Sequence, residues 1–462
     1  MVTPAKTLAA LCHEAGLPPE ATARAVLEGK DPVLPSSFLL GTAAAASIGA
    51  VGVAAAEIHH RRTGRAQAVS VEMRHALAEF RSEQLLRVDG APMGESWDAI
   101  AGAYRCGDGR WVRIHTNFPH HRHGFLALLS AEYDRASVAG ALEGWEAARL
   151  EEAAAGAGLP AAMMRSFGEW DAHPQGHAVA SLPLVEITRI GDAPPEPFPA
   201  GADRPLSGLR AVELTRIIAG PVCGRALAAH GADVMLVTGP HLPSIPALVA
   251  DTGRGKRSTS LDLRDGEGRE ALRTLAGGAD LFIQGYRPGA LAARGFGPED
   301  LAALRPGIVC VSLSAYGRVG PWAGRRGFDS LVQTASGFNA AEAKAAGKPG
   351  EPRPLPCQAL DHGAGYLMAL GAMAALMRRA EEGGSWHVQV SLARTGLWLR
   401  RLGRVKDGFA MPPAGAEPRL MEETASGFGR MSAVRHAAIL AETPAGWSRP
   451  SMPLGSDLPR WA

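Results

Sequence analysis

Cysteine is scarce and scattered in this chain of 462 residues. The five, Cys12, Cys106, Cys223, Cys310 and Cys357, form no CxxC pair, and no Cys/His spacing suits zinc. A disulfide scaffold is excluded, no metal is expected, and a reducing, cytoplasmic setting fits best. A surplus of one charge is lacking too. The 48 Lys and Arg nearly cancel the 46 Asp and Glu, and no long block of one sign interrupts the chain. That excludes nucleic acid held by bulk electrostatics, so an anionic ligand has to be met locally. The opening MVTPAKTLAALCHEAG has no basic stretch followed by an apolar run and a small-residue cleavage site, and export is not expected. One long apolar run exists, Phe38 to Ala56, but it is mostly Ala and Gly and leads into Glu57, His59, His60, Arg61 and Arg62. It reads as a buried helix, not a membrane span.

What is present is globular: 46% hydrophobic and 20% charged residues, over a length that allows two or three domains. Residues 41–73 lie over residues 360–392 without a gap. Gly52 falls on Gly371, and Val69 and Val71 fall on Val388 and Val390. Each copy reads as a small-residue helix, a turn with Gly, an alternating strand and a second helix. The copies differ where Asp361 of the second meets Thr42 of the first. Residues 1–95 are therefore expected to be a helical segment holding a degenerate copy. Residues 96–192 form a small α+β unit, with a hairpin over Tyr104 to Phe118 and helices at 124–130, 136–155 and 160–170. The Pro-rich stretch 193–205 is a linker. Residues 206–400 alternate short apolar strands with helices, which implies an α/β fold with a parallel, doubly wound sheet. Residues 401–462 read as a tail.

Ligands of such sheets bind beyond the carboxyl ends of the strands. The loop Thr215 to Pro221 is not GxGxxG, and its glycines serve either tight packing or close ligand approach. Arg254, Lys256 and Arg257 alternate with Gly253 and Gly255 ahead of a strand, a combination suited to phosphate oxygens, or else a solvated basic loop. Tyr286 and Arg287 add an aromatic face and a further cation, which points to a nucleotide-like ligand. Asp361 stands at a helix N-terminus beside Gly363 and Gly365. The helix dipole should keep it ionised at neutral pH, as a nucleophile or as a plain N-cap. The run His115 to His123 reads as solvated or substrate-facing loop histidines.

Taken in order, Pro205 to Arg210, Glu213 to Pro221, Gly231 to Val234, Arg254 to Ser258, Leu261 to Leu263, Tyr286 to Gly289, Ser314 to Gly317, Gly320-Pro321, Gly327 to Asp329 and Asp361 resemble the family III CoA-transferases. The resemblance implies a Rossmann-like CoA-binding domain over 206–400, with a smaller α+β domain that in this chain lies N-terminal to it. It implies CoA as co-substrate with no permanently bound cofactor, and acyl-CoA and a carboxylic acid as partners. It implies an acyl-enzyme on Asp361 and CoA contacts from Ile218, Ala219, Arg254, Lys256, Arg257, Tyr286, Arg287 and Tyr316. Interlocked rings in that family lead to the expectation of a homodimer in which helices 43–56 and 362–377 pack near each other. Two alternatives stand beside it. One is a 2-methylacyl-CoA racemase, which has a His where this chain has Phe328; the other is a non-catalytic CoA-binding subunit.

Overall fold

The computed structural model describes residues 2–94, 97–201, 203–412 and 415–461, so the expected boundary at residues 95 and 96 lies outside the described residues. Short runs rich in Val, Ile and Leu, each bounded by a turn, assemble into a seven-stranded sheet. Its order is Lys256–Ser260, Asp233–Thr238, Arg210–Leu214, Leu281–Gln284, Val309–Ser314, Ser385–Ser391 and Glu186–Gly191. The first six strands run parallel and the last antiparallel. Burial on both faces explains the unbroken apolar character of the central strands. The chain leaves Arg210–Leu214 toward one edge and returns beside it as Leu281–Gln284. Those two strands therefore flank the topological switch point, where a crevice opens.

The strand Glu186–Gly191 falls within the stretch read as the small unit, but it belongs to the large sheet. Its alternating residues find the free edge of Ser385–Ser391. Among its described residues the stretch 193–205 has no helix or strand and is held down: Glu196 pairs with Arg305 at 2.7 Å, and Ala193 accepts from the Gly384 amide at 2.9 Å. The small unit is a three-stranded antiparallel sheet, Gly102–Arg105, Trp111–Ile114 and Ala161–Met163, packed under Pro119–Leu129, Arg135–Leu142 and Ala147–Gly156. Ala161–Met163, expected as helix, is strand because the hairpin offers an open edge to pair with.

The apolar run forms the helix Leu40–Thr63, long and apolar enough to cross a bilayer, and its apolar stretch is wholly buried in the fold. Its counterpart is Ala359–Glu382, also 24 residues. The same interval of 319 residues separates their first and their last residues. The two helices pack on one another inside the chain, and Arg61 pairs with Glu381 at 2.5 Å near their ends. Val69–Glu72, which follows the first helix, has Ala25–Glu28 parallel on one side and Ala438–Leu440 antiparallel on the other. Ser385–Ser391 after the second helix has Val309–Ser314 parallel and Glu186–Gly191 antiparallel. Residues 401–462 are accordingly no loose tail. They supply Ala438–Leu440 and the hairpin Met421–Ser426 with Gly429–Val434, and they seat Trp447 and Trp461 against the large sheet's flank.

Candidate functional site

Asp361 is the third residue of Ala359–Glu382 and is 7% exposed. Asp329 closes the helix's first turn by accepting from the Leu360 and Asp361 amides, both at 2.8 Å, while Gln333 donates to its other oxygen. Two carboxyl groups thus share one dry corner with Glu83, which is bonded to His362 at 3.0 Å. Burial pushes the Asp361 carboxyl well above the usual range, and the Asp329 and Glu83 charges add to that. Asp329 is itself raised to about 6, chiefly by burial. The expected ionised Asp361 is therefore corrected. Desolvation and neighbouring acids outweigh the half-charge of a helix N-terminus.

Asp361 lines a cavity of about 400 Å³ at the switch point. Its floor is made by the loops that follow five parallel strands: Arg216, Ile217 and Ala219; Thr238 and Gly239; Leu263 and Arg264; Gly285, Tyr286 and Arg287; Ser314 and Ala315. Ile217 has φ 76°, a left-handed backbone rarely taken by a β-branched residue and one that stores strain of roughly 1–3 kcal/mol. The small unit roofs the cavity with Phe118, His120 and His121. His115 stacks on Phe328 with ring centroids 3.8 Å apart, and Arg216 lies 4.4 Å over Phe118, so the two units are locked across the site. Arg216, Arg264, Arg287, Arg294, Arg325 and Arg326 all line the cavity, against the single carboxyl of Asp361 among the described residues.

The structure brings Ala219, Tyr286, Arg287 and Asp361 together at this cavity. Ile218 is buried at the helix start between two lining residues. The basic loop is elsewhere. Arg254 is 2% exposed, bonded to Asp251 and Glu422, each at 3.3 Å, and to the Val434 carbonyl at 2.7 Å, with Trp447 stacked 4.1 Å away. Lys256 is buried against Glu213 at 2.7 Å, and Arg257 pairs with Asp233 at 3.0 Å. The glycines between them serve packing: a Cβ on Gly253 would stand 2.5 Å from Ser451 Oγ, and one on Gly255 would stand 2.6 Å from Trp447. The C-terminal segment covers the face expected to meet phosphate. Tyr316 is buried beside Trp322, with ring centroids 5.0 Å apart, and does not line this cavity.

Three contributors were missed by sequence reasoning. Arg216 lies within the loop Thr215 to Pro221 and Arg326 beside Gly327 to Asp329, and neither was assigned a role. Glu83 approaches from the N-terminal segment, ten residues beyond the first copy, and no local pattern announces it. His121, in the run expected to be solvated or substrate-facing, is 1% exposed and faces the cavity.

A model of the family described as CoA-transferase family III matches residues 21–192 and 206–449, leaving out the Pro-rich stretch between them. An acyl-CoA transferase of Gibberella moniliformis is 31% identical over 384 residues, covering 74% of this chain and 67% of that protein. A succinate–glutarate CoA-transferase of Agrobacterium fabrum is 32% identical over 207 residues, covering 41% of this chain and 51% of that one. The crystal structure of a CaiB/BaiF family protein from Brucella suis is 28% identical, covers 49% of this chain and 65% of its own, and superposes with a TM-score of 0.38. This chain thus spans two thirds of the length of the first relative and about half that of the second.

Proposed function

The chain belongs to CoA-transferase family III, and we propose that it moves CoA from an acyl-CoA donor to a carboxylic-acid acceptor at Asp361. The observation that carries this reading is the one carboxyl among the described residues lining a cavity that six arginines also line, in the crevice of a doubly wound sheet. By the family resemblance, the Asp361 carboxylate attacks the donor thioester carbonyl, and the C–S bond breaks to give a mixed anhydride and CoA thiolate. The thiolate returns to the aspartyl carbonyl and expels the donor's carboxylate, leaving an aspartyl-CoA thioester. The acceptor carboxylate then attacks that thioester, and the thiolate returns to the acceptor's carbonyl, which regenerates Asp361. Each covalent step exchanges groups of similar energy, so no redox partner is needed.

Phe328 bears no group able to carry a proton, and burial, with the neighbouring His120, holds the His121 imidazole down to about 3. Neither offers the second base that racemization requires, and transfer is favoured over it. We take the two copies as one duplicated unit with a single reactive centre. The buried free cysteines support a cytoplasmic setting. A homodimer, expected from the sequence, is not required for this chemistry, because the small unit roofs the cavity of its own chain.

The test is direct. Asp361→Asn and Asp361→Ala should lose CoA exchange by at least about a thousandfold, and the hydroxylamine-sensitive adduct formed with an acyl-CoA should disappear from the Asp361 peptide by mass spectrometry. Full exchange in either variant would sink the assignment.

A further inference from the structure

Gln284, Ser312 and His387 form a row across three neighbouring strands, on the face of the large sheet turned away from the helix Ala359–Glu382. None of the three lines the switch-point cavity. Gln284 Oε1 accepts from the Tyr286 amide at 3.1 Å, and Gln284 Nε2 donates to Ser312 Oγ at 2.9 Å. His387 Nε2 stands 2.9 Å from the same Oγ. A backbone N–H can only donate, so the Gln284 atom that meets it is the carbonyl oxygen and the NH2 group is left for Ser312. The Ser312 oxygen accepts there and has one hydrogen to give, which goes to His387 Nε2. Burial, helped by Arg318 and opposed by Glu299 and Glu186, brings the His387 imidazole down to about 4, so that nitrogen is uncharged at neutral pH and free to accept. Every bond in the row thus has a set direction.

The row ends at the loop that carries Tyr286 and Arg287 to the cavity. Packing backs this loop poorly. A separate space of about 50 Å³ lies behind it, lined by Gln284, Arg287, Gly289 and Ser312 among others. Gly289 has φ 81° with open space around it, and a Cβ on Gly285 would meet nothing nearer than 3.8 Å. Apart from the Gly285 amide, bonded to the Leu214 carbonyl at 3.2 Å, the hold on the start of the loop is the Tyr286 amide. We infer that Gln284, Ser312 and His387 are positioning residues for CoA, holding the Tyr286–Arg287 loop from behind the sheet without touching the ligand. This rests on the transferase reading above. If the Ser312 hydroxyl is removed, nothing fixes which way the Gln284 amide faces, and turned over it sets an NH2 group against the Tyr286 N–H.

Two measurements on the full chain test this: hydrogen–deuterium exchange of the 284–291 peptide without ligand, and calorimetric titration with free CoA. Ser312→Ala should speed exchange in that peptide at least about fivefold and weaken CoA binding roughly three- to tenfold. Ser312→Thr keeps the hydroxyl and should stay within about twofold of the parent in both. Ser312→Ala with His387→Leu should lose no more affinity than Ser312→Ala alone, because both break one row. Unchanged exchange in Ser312→Ala overturns the inference, as does faster exchange with unchanged CoA affinity, or losses that add in the double variant. Faster exchange spread evenly over the chain assigns Ser312 to folding alone and overturns it too. A parent chain that binds no CoA counts against the transferase reading, and the exchange arm still decides whether the row holds the loop.

Discussion

Asp361, the carboxyl group proposed as nucleophile, is almost fully buried and has two other acids close. Its nucleophilic form is the charged one, and burial with Asp329 and Glu83 favours the neutral one. Adduct formation should therefore climb as pH rises through the raised Asp361 value. Asp329→Asn removes the neighbouring charge while an amide oxygen still accepts from the helix amides. Its acid limb, read from adduct formation by rapid quench across pH, should move to lower pH; an unmoved limb would show that the two carboxyls do not sense each other. Asp361 itself was legible because Asp-x-Gly-x-Gly at the head of a small-residue helix is an unusual local pattern. Its ionisation state was not, since that depends on Glu83, 278 positions away in sequence. Lys256 teaches the same lesson. A lysine among glycines looks like a phosphate ligand until its partner, Glu213 two strands along the same sheet, is seen to consume its charge.

At the scale of elements, the paired long helices lie on strands at glycine contacts. A Cβ on Gly371 would stand 2.5 Å from Val388 Cγ1 and 2.8 Å from Val185 Cγ1; one on Gly52 would stand 2.9 Å from Val69 Cγ1 and 3.1 Å from Ala438 Cβ. Alanine is the better helix former by about 1 kcal/mol, but overpacking branched methyls that cannot swing away costs roughly 1–3 kcal/mol. Packing should win at Gly371. Gly371→Ala is expected to lower the urea midpoint by the equivalent of about 1 kcal/mol, with a smaller loss in Gly52→Ala; a stabilised Gly371→Ala would show that the strands yield. These elements were readable because the spacing of glycine to valine is the same in both copies. The strand Ala161–Met163 was not, because Ala and Met favour helix and only the tertiary edge decides otherwise.

For the whole molecule, chain order gives way to spatial order. The small unit precedes the large sheet in sequence yet closes over its carboxyl ends, and the long helices expected to pack near each other do so within one chain. Exchange activity per chain should accordingly stay constant from nanomolar to micromolar protein, and a species near 48 kDa in sedimentation should be active. Activity that falls away on dilution would restore the dimer. The strand Ala438–Leu440 escaped sequence reading because it is three residues long and pairs with Val69–Val71, hundreds of positions distant. The first copy's locus repeats the geometry of the second without its chemistry. Asp31 accepts from the Gly41 and Thr42 amides at 2.8 Å, the Thr42 hydroxyl closes on it at 2.7 Å, and Met73 fills the space that its counterpart Leu392 leaves open to the cavity. With the first copy's locus filled, the paired halves offer one reactive seat among the described residues. Saturation curves should be plain hyperbolas, and titration of the reactive centre should end at one equivalent for every chain.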